Sequence, residues 1–167
     1  MNQKELELYV HIPFCVKKCS YCDFLSAPAT EQTKEAYMAA LFAEIGGRAK
    51  DYKERIVTSI FIGGGTPSLL SGDSIRQLME HIREGFRLAP DAEITMEVNP
   101  GTVTAEKLTA FYGAGINRLS IGMQSAQEQE LKILGRIHDF DGFCQVYREA
   151  VEAGFTNINV DVMSGLP

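Results

Sequence analysis

Three cysteines within eight residues carry the clearest chemical signal in this sequence. Cys15, Cys19 and Cys22 follow an alternating apolar run at residues 6–12 that is typical of a β-strand. Thiolates bind soft metals, and three of them from one loop can hold three irons of a cubane cluster while the fourth iron stays open to a substrate. Structural zinc sites instead close with four ligands, commonly in separated Cys-x-x-Cys pairs. The spacing favours an iron–sulfur cluster over zinc or inert thiols.

The fourth cysteine and the three histidines favour structural roles. Cys144 lies on the apolar stripe of a predicted helix, which indicates a small core residue. His11 completes a zinc site only if it turns into the cysteine loop. His81 is expected on an exposed helix position, and His138 is expected to be structural.

Length, composition and charge narrow the protein class. The 167 residues suit one domain, and 45% apolar with 23% charged residues is ordinary for a soluble protein. A net charge of -6 argues against a nucleic-acid partner, which needs clustered lysine and arginine. Neither a leader peptide nor a run of about 18 apolar residues occurs. We therefore expect a cytoplasmic protein without a transmembrane segment, where a reducing environment favours metal binding over disulfides.

Predicted strands and helices alternate along the chain. The predicted strands cover residues 6–12, 56–62, 93–98, 117–123 and 156–163. The predicted helices cover residues 32–52, 73–86, 104 to 113 or 115, 128–134 and about 141–153. Residues 89–91 are expected to turn the chain before the third strand.

Alternating strands and helices predict a parallel α/β sheet built from right-handed crossovers. The alternatives are a doubly wound sheet and a barrel. The third and fifth predicted strands place apolar residues on one face and polar residues on the other, which suits a curved sheet whose concave side holds a polar ligand. The barrel is favoured, but five strands are too few to close one. We therefore expect a barrel truncated where the sequence stops at Pro167.

Seven sequence motifs occur in order from Tyr9 to the last residue: YVHIPFC, SYCDF, GGGTPS, EVNPG, RLSIGMQS, LGRIH and NVDVMSGLP. The Cys-x-x-x-Cys-x-x-Cys spacing resembles the signature of radical S-adenosylmethionine (SAM) enzymes. The wider motifs resemble the oxygen-independent coproporphyrinogen III oxidase-like family. This resemblance implies a TIM-like partial (βα)6 barrel, of which residues 1–167 would be the incomplete N-terminal part.

The same resemblance implies two cofactors. A [4Fe-4S] cluster would be held by Cys15, Cys19 and Cys22, and SAM would chelate its open iron. Reduction of the cluster, which requires an electron donor, would split SAM into methionine and a 5′-deoxyadenosyl radical. The implied SAM contacts are Tyr9, Tyr21, Gly64, Gly65, Thr66, Glu97, Gln124, Arg136 and Asp161. Asn99, Arg118 and Ser125 also match motif positions and are expected to have supporting roles.

The residue types at these positions suit the implied roles. The glycine run before Thr66 follows a strand and lets the backbone approach a ligand closely, although a tight strand-to-helix turn is the alternative. A buried Glu97 carboxylate requires a polar or cationic partner. Arg136 can neutralise a carboxylate with a fork of donors, while Gln124 and Asp161 can bind ribose hydroxyls. Each of these residues alone would suggest a surface or capping residue.

One departure from the family pattern bears on function. The coproporphyrinogen oxidases carry a further cysteine two places after the third cluster cysteine, and here that place is Phe24. The ending CDF resembles the heme chaperone branch of the family. The resemblance therefore implies a protein that binds heme as cargo and passes it to an acceptor protein. The alternatives are an oxidase that decarboxylates coproporphyrinogen III, and a fragment that has lost both activities.

Overall fold

Five parallel strands form a single sheet in the computed structural model, which describes residues 4–166. The strands are β1 (Lys4–Ile12), β2 (Arg55–Gly64), β3 (Leu88–Val98), β4 (Arg118–Gln124) and β5 (Asn157–Val162). Their order in the sheet is the order in the chain, and every neighbouring pair is parallel. A doubly wound sheet reverses its order at a switch point, whereas this sheet winds in one direction only, as a barrel does.

Helices join consecutive strands and pack side by side against the sheet. They are α1 (Glu31–Ala49), α2 (Gly72–Gly85), α3 (Ala105–Gly113), α4 (Glu128–Leu134) and α5 (Phe140–Glu152), with short 3-10 turns at Lys50–Tyr52, Pro67–Leu69 and Pro100–Thr102. Helix α1 contacts α2, α2 contacts α3, and α3 contacts α5. Right-handed crossovers that all step in one direction produce this layer. Within residues 4–166, no helix is both long and apolar enough to cross a membrane.

Local sequence signals explain where several helices begin and end. The Thr104 side chain accepts a hydrogen bond from the Lys107 amide at 3.3 Å, so it caps α3 as predicted. Helix α4 ends at Gly135, whose φ of 73° lies in the left-handed region that favours glycine. The predicted bounds of all five helices lie within a few residues of the observed ones. The largest difference is at α1, where residues 50–52 form a 3-10 turn and do not continue the helix.

The hydrophobic core lies between the sheet and the helix layer. Strand residues such as Ile62, Met96 and Leu119 are fully buried there, against helix residues such as Leu78 and Phe111. Full burial of one such side chain stabilises the fold by about 1.5–3 kcal/mol. This packing holds the strands in register and thereby sets the positions of the residues on the opposite face.

The turn predicted at residues 89–91 is wrong, because these residues belong to β3. Leu88 pairs with Val57, but the next pair in the ladder is Glu93 with Ser59. Residues 89–92 therefore bulge opposite a single residue of β2. Pro90 lacks the amide hydrogen that a regular ladder would need, which explains why the bulge occurs here.

Candidate functional site

The carboxyl ends of the strands and the loop at residues 13–30, here called the cysteine loop, enclose a pocket of about 340 Å³. Every predicted binding residue except Tyr9 lines this pocket: Cys15, Cys19, Tyr21, Cys22, Gly64, Gly65, Thr66, Glu97, Gln124, Arg136 and Asp161. Ligands of parallel α/β sheets bind at this end of the strands. The fold therefore gathers residues separated by more than a hundred positions in sequence.

Tyr9 is not part of the pocket wall. Its side chain is 60% exposed and stacks on Phe61 with a centroid distance of 6.1 Å. Its hydroxyl lies 3.3 Å from Nδ1 of His11. Tyr9 precedes the end of β1 by three residues, which at about 3.3 Å per residue places it roughly 10 Å below the strand ends. Burial and, after it, the negative charge of Glu97 raise the pKa of Tyr9, so Tyr9 lies within electrostatic reach of the pocket without lining it.

The cysteine loop is anchored at both sides. At its base, the Cys15 amide donates to the Ala27 carbonyl at 3.1 Å, and the Ala27 amide donates to the Pro13 carbonyl at 3.0 Å. On the far side, the Ser20 amide donates to the Leu134 carbonyl at 3.1 Å, at the end of α4. These bonds hold the cysteines against the strand ends.

Two of the three thiols receive hydrogen bonds from predicted SAM-site residues. Thr66 Oγ1 donates to Cys15 Sγ at 3.5 Å, and Arg136 Nη1 lies 3.8 Å from Cys19 Sγ. Arg136 Nη1 also donates to the Tyr21 hydroxyl at 3.4 Å. Among residues 4–166, no three His, Cys, Asp or Glu side chains converge around one metal ion. Three thiols along one pocket wall form a donor set that fits a cluster with one iron left without a protein ligand.

The glycine run at the end of β2 allows a close approach of two backbones. The Gly65 amide donates to the Ile12 carbonyl at 2.8 Å, and a Cβ at Gly65 would lie 2.6 Å from the Phe14 carbonyl oxygen. Gly64 has a φ of 114°, and a Cβ there would lie 2.5 Å from Nδ1 of His11. A larger residue at Gly65 would push the end of β2 away from β1 and the cysteine loop, and one at Gly64 would meet the His11 side chain of β1.

Glu97 brings a carboxylate into the pocket beside that of Asp161. Its Oε2 accepts a hydrogen bond from the Gly64 amide at 2.9 Å. Burial raises the pKa of Glu97, and the negative charge of Asp161 raises it further, while the Gly64 amide and His11 act in the opposite direction. Two carboxylates facing one pocket favour a cationic ligand, because each disfavours the charge on the other.

We expect Glu97→Gln to stabilise the ligand-free protein at neutral pH. A carboxyl group with a raised pKa in the folded state destabilises the fold when it is ionised, and this cost disappears as the pH falls through that pKa. The glutamine retains the acceptor for Gly64 without the charge. Thermal melts should therefore show a higher Tm for the variant at pH 7, with the gain shrinking toward about pH 4, where the unfolded carboxyl group also protonates.

Glu93→Gln is the matched control for this prediction. Glu93 lies on the same strand but is exposed and pairs with Arg118 at 3.8 Å. It should show no comparable pH-dependent gain. A Glu97→Gln variant that melts below the parent protein at pH 7 would contradict the prediction.

Arg136, Gly122 and Gln124 form the wall nearest β4. Arg136 Nη2 donates to the Gly122 carbonyl at 2.8 Å, while its Nε is buried without a protein partner. Nε has almost no accessible surface, so a ligand carboxylate in the pocket would bind the rest of the guanidinium. A Cβ at Gly122 would lie 2.9 Å from Gln124 Nε2 and 3.1 Å from Arg136 Nη2. Gln124 itself has a φ of 67°, which is unusual for a residue other than glycine.

Sequence reasoning missed Ser120 and Gly122, which both line the pocket. Residues of one strand face the same side at every second position, so Ser120, Gly122 and Gln124 share a face of β4. Gly122 and Ser120 precede the predicted contact Gln124 by two and four positions, and this alternation could have identified them from the sequence. Of the three residues given supporting roles, only Asn99 lines the pocket. Arg118 donates to Thr95 at 3.2 Å, and Ser125 donates to Glu130.

The remaining cysteine and histidines lie outside the pocket wall. Cys144 is partly buried against the hydrophobic core, as predicted. His81 is half-buried and stacks on Phe42 at 4.1 Å, so its predicted exposure is wrong. Burial lowers the pKa of His138 to about 4, with the positive charge of Arg136 contributing. His138 is therefore neutral at neutral pH, and its Nε2 lies 3.3 Å from the Met123 carbonyl.

Comparisons with known proteins agree with this architecture. The family model of the radical SAM superfamily matches residues 9–167. The heme chaperone HemW of Escherichia coli is 47% identical over 163 residues, which is 97% of this chain and 43% of the relative. The oxygen-independent coproporphyrinogen III oxidase of Escherichia coli is 37% identical over 166 residues, or 99% of this chain and 36% of the relative.

The solved structure of coproporphyrinogen III oxidase (HemN) from Escherichia coli superposes with a TM-score of 0.90 at 37% identity, over 99% of this chain and 38% of that one. This similarity confirms the predicted barrel-type fold. The chain spans less than half the length of these relatives. With a family match over almost all of its residues, a sheet of the same architecture and the cysteine motif at the strand ends, this chain belongs to the radical SAM superfamily.

Proposed function

We propose that residues 1–167 form the N-terminal part of a radical SAM core domain that binds a [4Fe-4S] cluster and SAM. The observation that carries this proposal is the pocket itself, where three thiols share a wall with a backbone cradle, two carboxylates and a guanidinium. A bound, reduced cluster would supply the electron for cleavage of the SAM sulfonium. The protein would need a separate electron donor.

Each pocket residue has a role that follows from its chemistry. Cys15, Cys19 and Cys22 would hold the cluster, and the backbone at Gly64 and Gly65 would hold the methionyl part of SAM together with Thr66. Glu97 would accept from the SAM amino group, and its buried carboxylate favours a cationic ligand such as the SAM sulfonium. Arg136 would bind the SAM carboxylate through the part of its guanidinium that lines the pocket. Gln124 and Asp161 would contact the ribose hydroxyls, while Tyr9 and Tyr21 would contact SAM near the cluster.

The function that we propose for the whole protein is heme binding and delivery to an acceptor protein, in the cytoplasm. Phe24 supports this choice over the oxidase, because it lines the pocket and is 65% exposed at the place where the oxidases carry a further cysteine. The identity of 47% to a heme chaperone, against 37% to an oxidase, favours the same assignment. An exposed aromatic ring cannot supply the thiol chemistry of that cysteine.

We expect the whole protein, reconstituted anaerobically, to bind heme stoichiometrically and to transfer it to an apo-acceptor. We also expect no conversion of coproporphyrinogen III to protoporphyrinogen IX in the presence of SAM and a reductant. Heme transfer would be followed by absorbance, and porphyrinogen products by chromatography after oxidation. The Escherichia coli oxidase serves as the positive control in the same assay.

Two results would decide against the chaperone assignment. Conversion of coproporphyrinogen III at a rate comparable to the control enzyme would identify an oxidase. Failure to bind heme, with an intact cluster and SAM site, would remove the proposed cargo.

A further inference from the structure

The Asp161 carboxylate is held by a closed set of hydrogen bonds. Ser120 Oγ donates toward both carboxylate oxygens of Asp161, at 3.0 Å each. Asn159 Nδ2 donates to Asp161 Oδ1 at 2.7 Å and to Ser120 Oγ at 3.0 Å. Three side chains from two adjacent strands thus form one network.

The sheet register explains this arrangement. Ser120 and Asn159 are direct partners in the β4–β5 ladder, and Asp161 follows Asn159 by two positions, so all three side chains point to the same face. Asp161 lies opposite Gly122, which has no side chain to compete for the space. The network therefore depends on parallel pairing between β4 and β5.

The donors of this network are fully used within it. Ser120 is only 7% exposed, and its single hydroxyl proton is directed to Asp161. Both amide hydrogens of Asn159 are accounted for by Ser120 and Asp161. A ligand in the pocket can therefore gain no donor from either residue. An ionised carboxylate has about four acceptor sites, so Asp161 retains acceptor capacity for the pocket.

We infer that Ser120 and Asn159 are positioning residues, which orient the Asp161 carboxylate so that its remaining acceptor site, on Oδ2, receives a hydroxyl group of the ligand. This inference rests on the proposed function, in which that ligand is the nucleoside part of SAM. Neither residue needs to touch the ligand, although Ser120 lies in the pocket wall.

The test is a double-mutant cycle of SAM binding to the cluster-loaded protein. Ser120→Ala should weaken SAM binding about tenfold, the effect of losing a hydrogen bond to a charged group. In an Asp161→Ala background, the same substitution should change affinity by less than about twofold, because its target is gone. Ser120→Thr, which keeps the hydroxyl, should bind within about twofold of the parent protein.

Ligand fragments and a matched control distinguish a positioning effect on Asp161 from a nonspecific disruption of the binding site. Ser120→Ala should weaken binding of 5′-deoxyadenosine, which carries the ribose, and leave binding of methionine unchanged. Thr95→Val is the control, because Thr95 is equally buried on the same sheet face but does not line the pocket. It should leave both affinities unchanged.

Three results would overturn the inference alone: unchanged SAM affinity in Ser120→Ala, equal effects in the Asp161 and Asp161→Ala backgrounds, or equal losses for both fragments. In each case the parent protein still binds SAM, so the proposed function stands. A cluster-loaded parent protein that binds no SAM would instead overturn the proposed function, and this inference with it.

Discussion

Serine substitution of Cys15, Cys19 or Cys22 is expected to reduce the iron content of the anaerobically reconstituted protein to below about a tenth of the parent value. The parent should contain about four irons and four sulfides per chain. Each thiol lies on the same pocket wall, and the loop that carries them is anchored at both sides. Serine oxygen is a poor ligand for a soft metal cluster, so the loss of one thiol leaves too few ligands.

Cys144→Ala is the matched control for this prediction. Its thiol is partly buried against the core on α5 and lies outside the pocket wall, so the variant should keep the full iron and sulfide content. Iron and sulfide assays with electron paramagnetic resonance of the reduced protein would measure the outcome. A parent protein that takes up only zinc, or a cysteine variant in the motif with undiminished iron, would contradict the assignment.

The second large effect is expected for Gly65→Ala. A Cβ at this position would meet the Phe14 carbonyl oxygen at 2.6 Å, the Phe14 amide nitrogen at 2.9 Å and the Ile12 carbonyl oxygen at 3.0 Å. All three are backbone atoms, which cannot rotate away as a flexible side chain can. The end of β2 must separate from β1 and the cysteine loop, at a cost of about 1–3 kcal/mol in the free energy of unfolding.

The same displacement moves two parts of the pocket apart. We therefore expect SAM affinity in the Gly65→Ala variant to fall by more than about tenfold, as measured on the cluster-loaded protein. Denaturant unfolding of the ligand-free variant would give the stability change. Wild-type stability together with wild-type SAM affinity would show that the backbones do not approach each other as closely as described.

Gly46→Ala tests whether the effect is particular to the glycine run. Gly46 lies inside helix α1, and a Cβ there meets nothing within 4 Å. Alanine is favoured over glycine in a helix interior by about 0.5–1 kcal/mol. This variant should therefore be slightly more stable than the parent protein and bind SAM equally well, so two Gly→Ala changes should have opposite effects on stability.

Local sequence patterns were sufficient for most of the secondary structure. Short-range rules explain the cap at Thr104 and the end of α4 at Gly135, because the groups involved are within a few residues of each other. The turn predicted at residues 89–91 failed because a bulge depends on the neighbouring strand. Only the register of β3 against β2 shows that residues 89–92 stay in the sheet.

The sequence by itself determined the chemistry that is local or repeated in the family pattern. The spacing of Cys15, Cys19 and Cys22 indicated a cluster-binding loop, and the ordered motifs contain most of the residues that line the pocket. Strand and helix periodicity was enough to predict a parallel α/β sheet. These features depend on residue types and on short separations along the chain.

Only the tertiary structure decided which distant groups act on one another. Arg136 reaches Cys19 across 117 positions, and Ser120 reaches Asp161 across 41. It also stacked Tyr9 on Phe61, beside the pocket wall and not in it, and it left the Arg136 Nε buried without a protein partner. The physical reason is that strand register and loop anchoring are set by packing of the whole core, and hydrogen bonds form only after those distances are fixed.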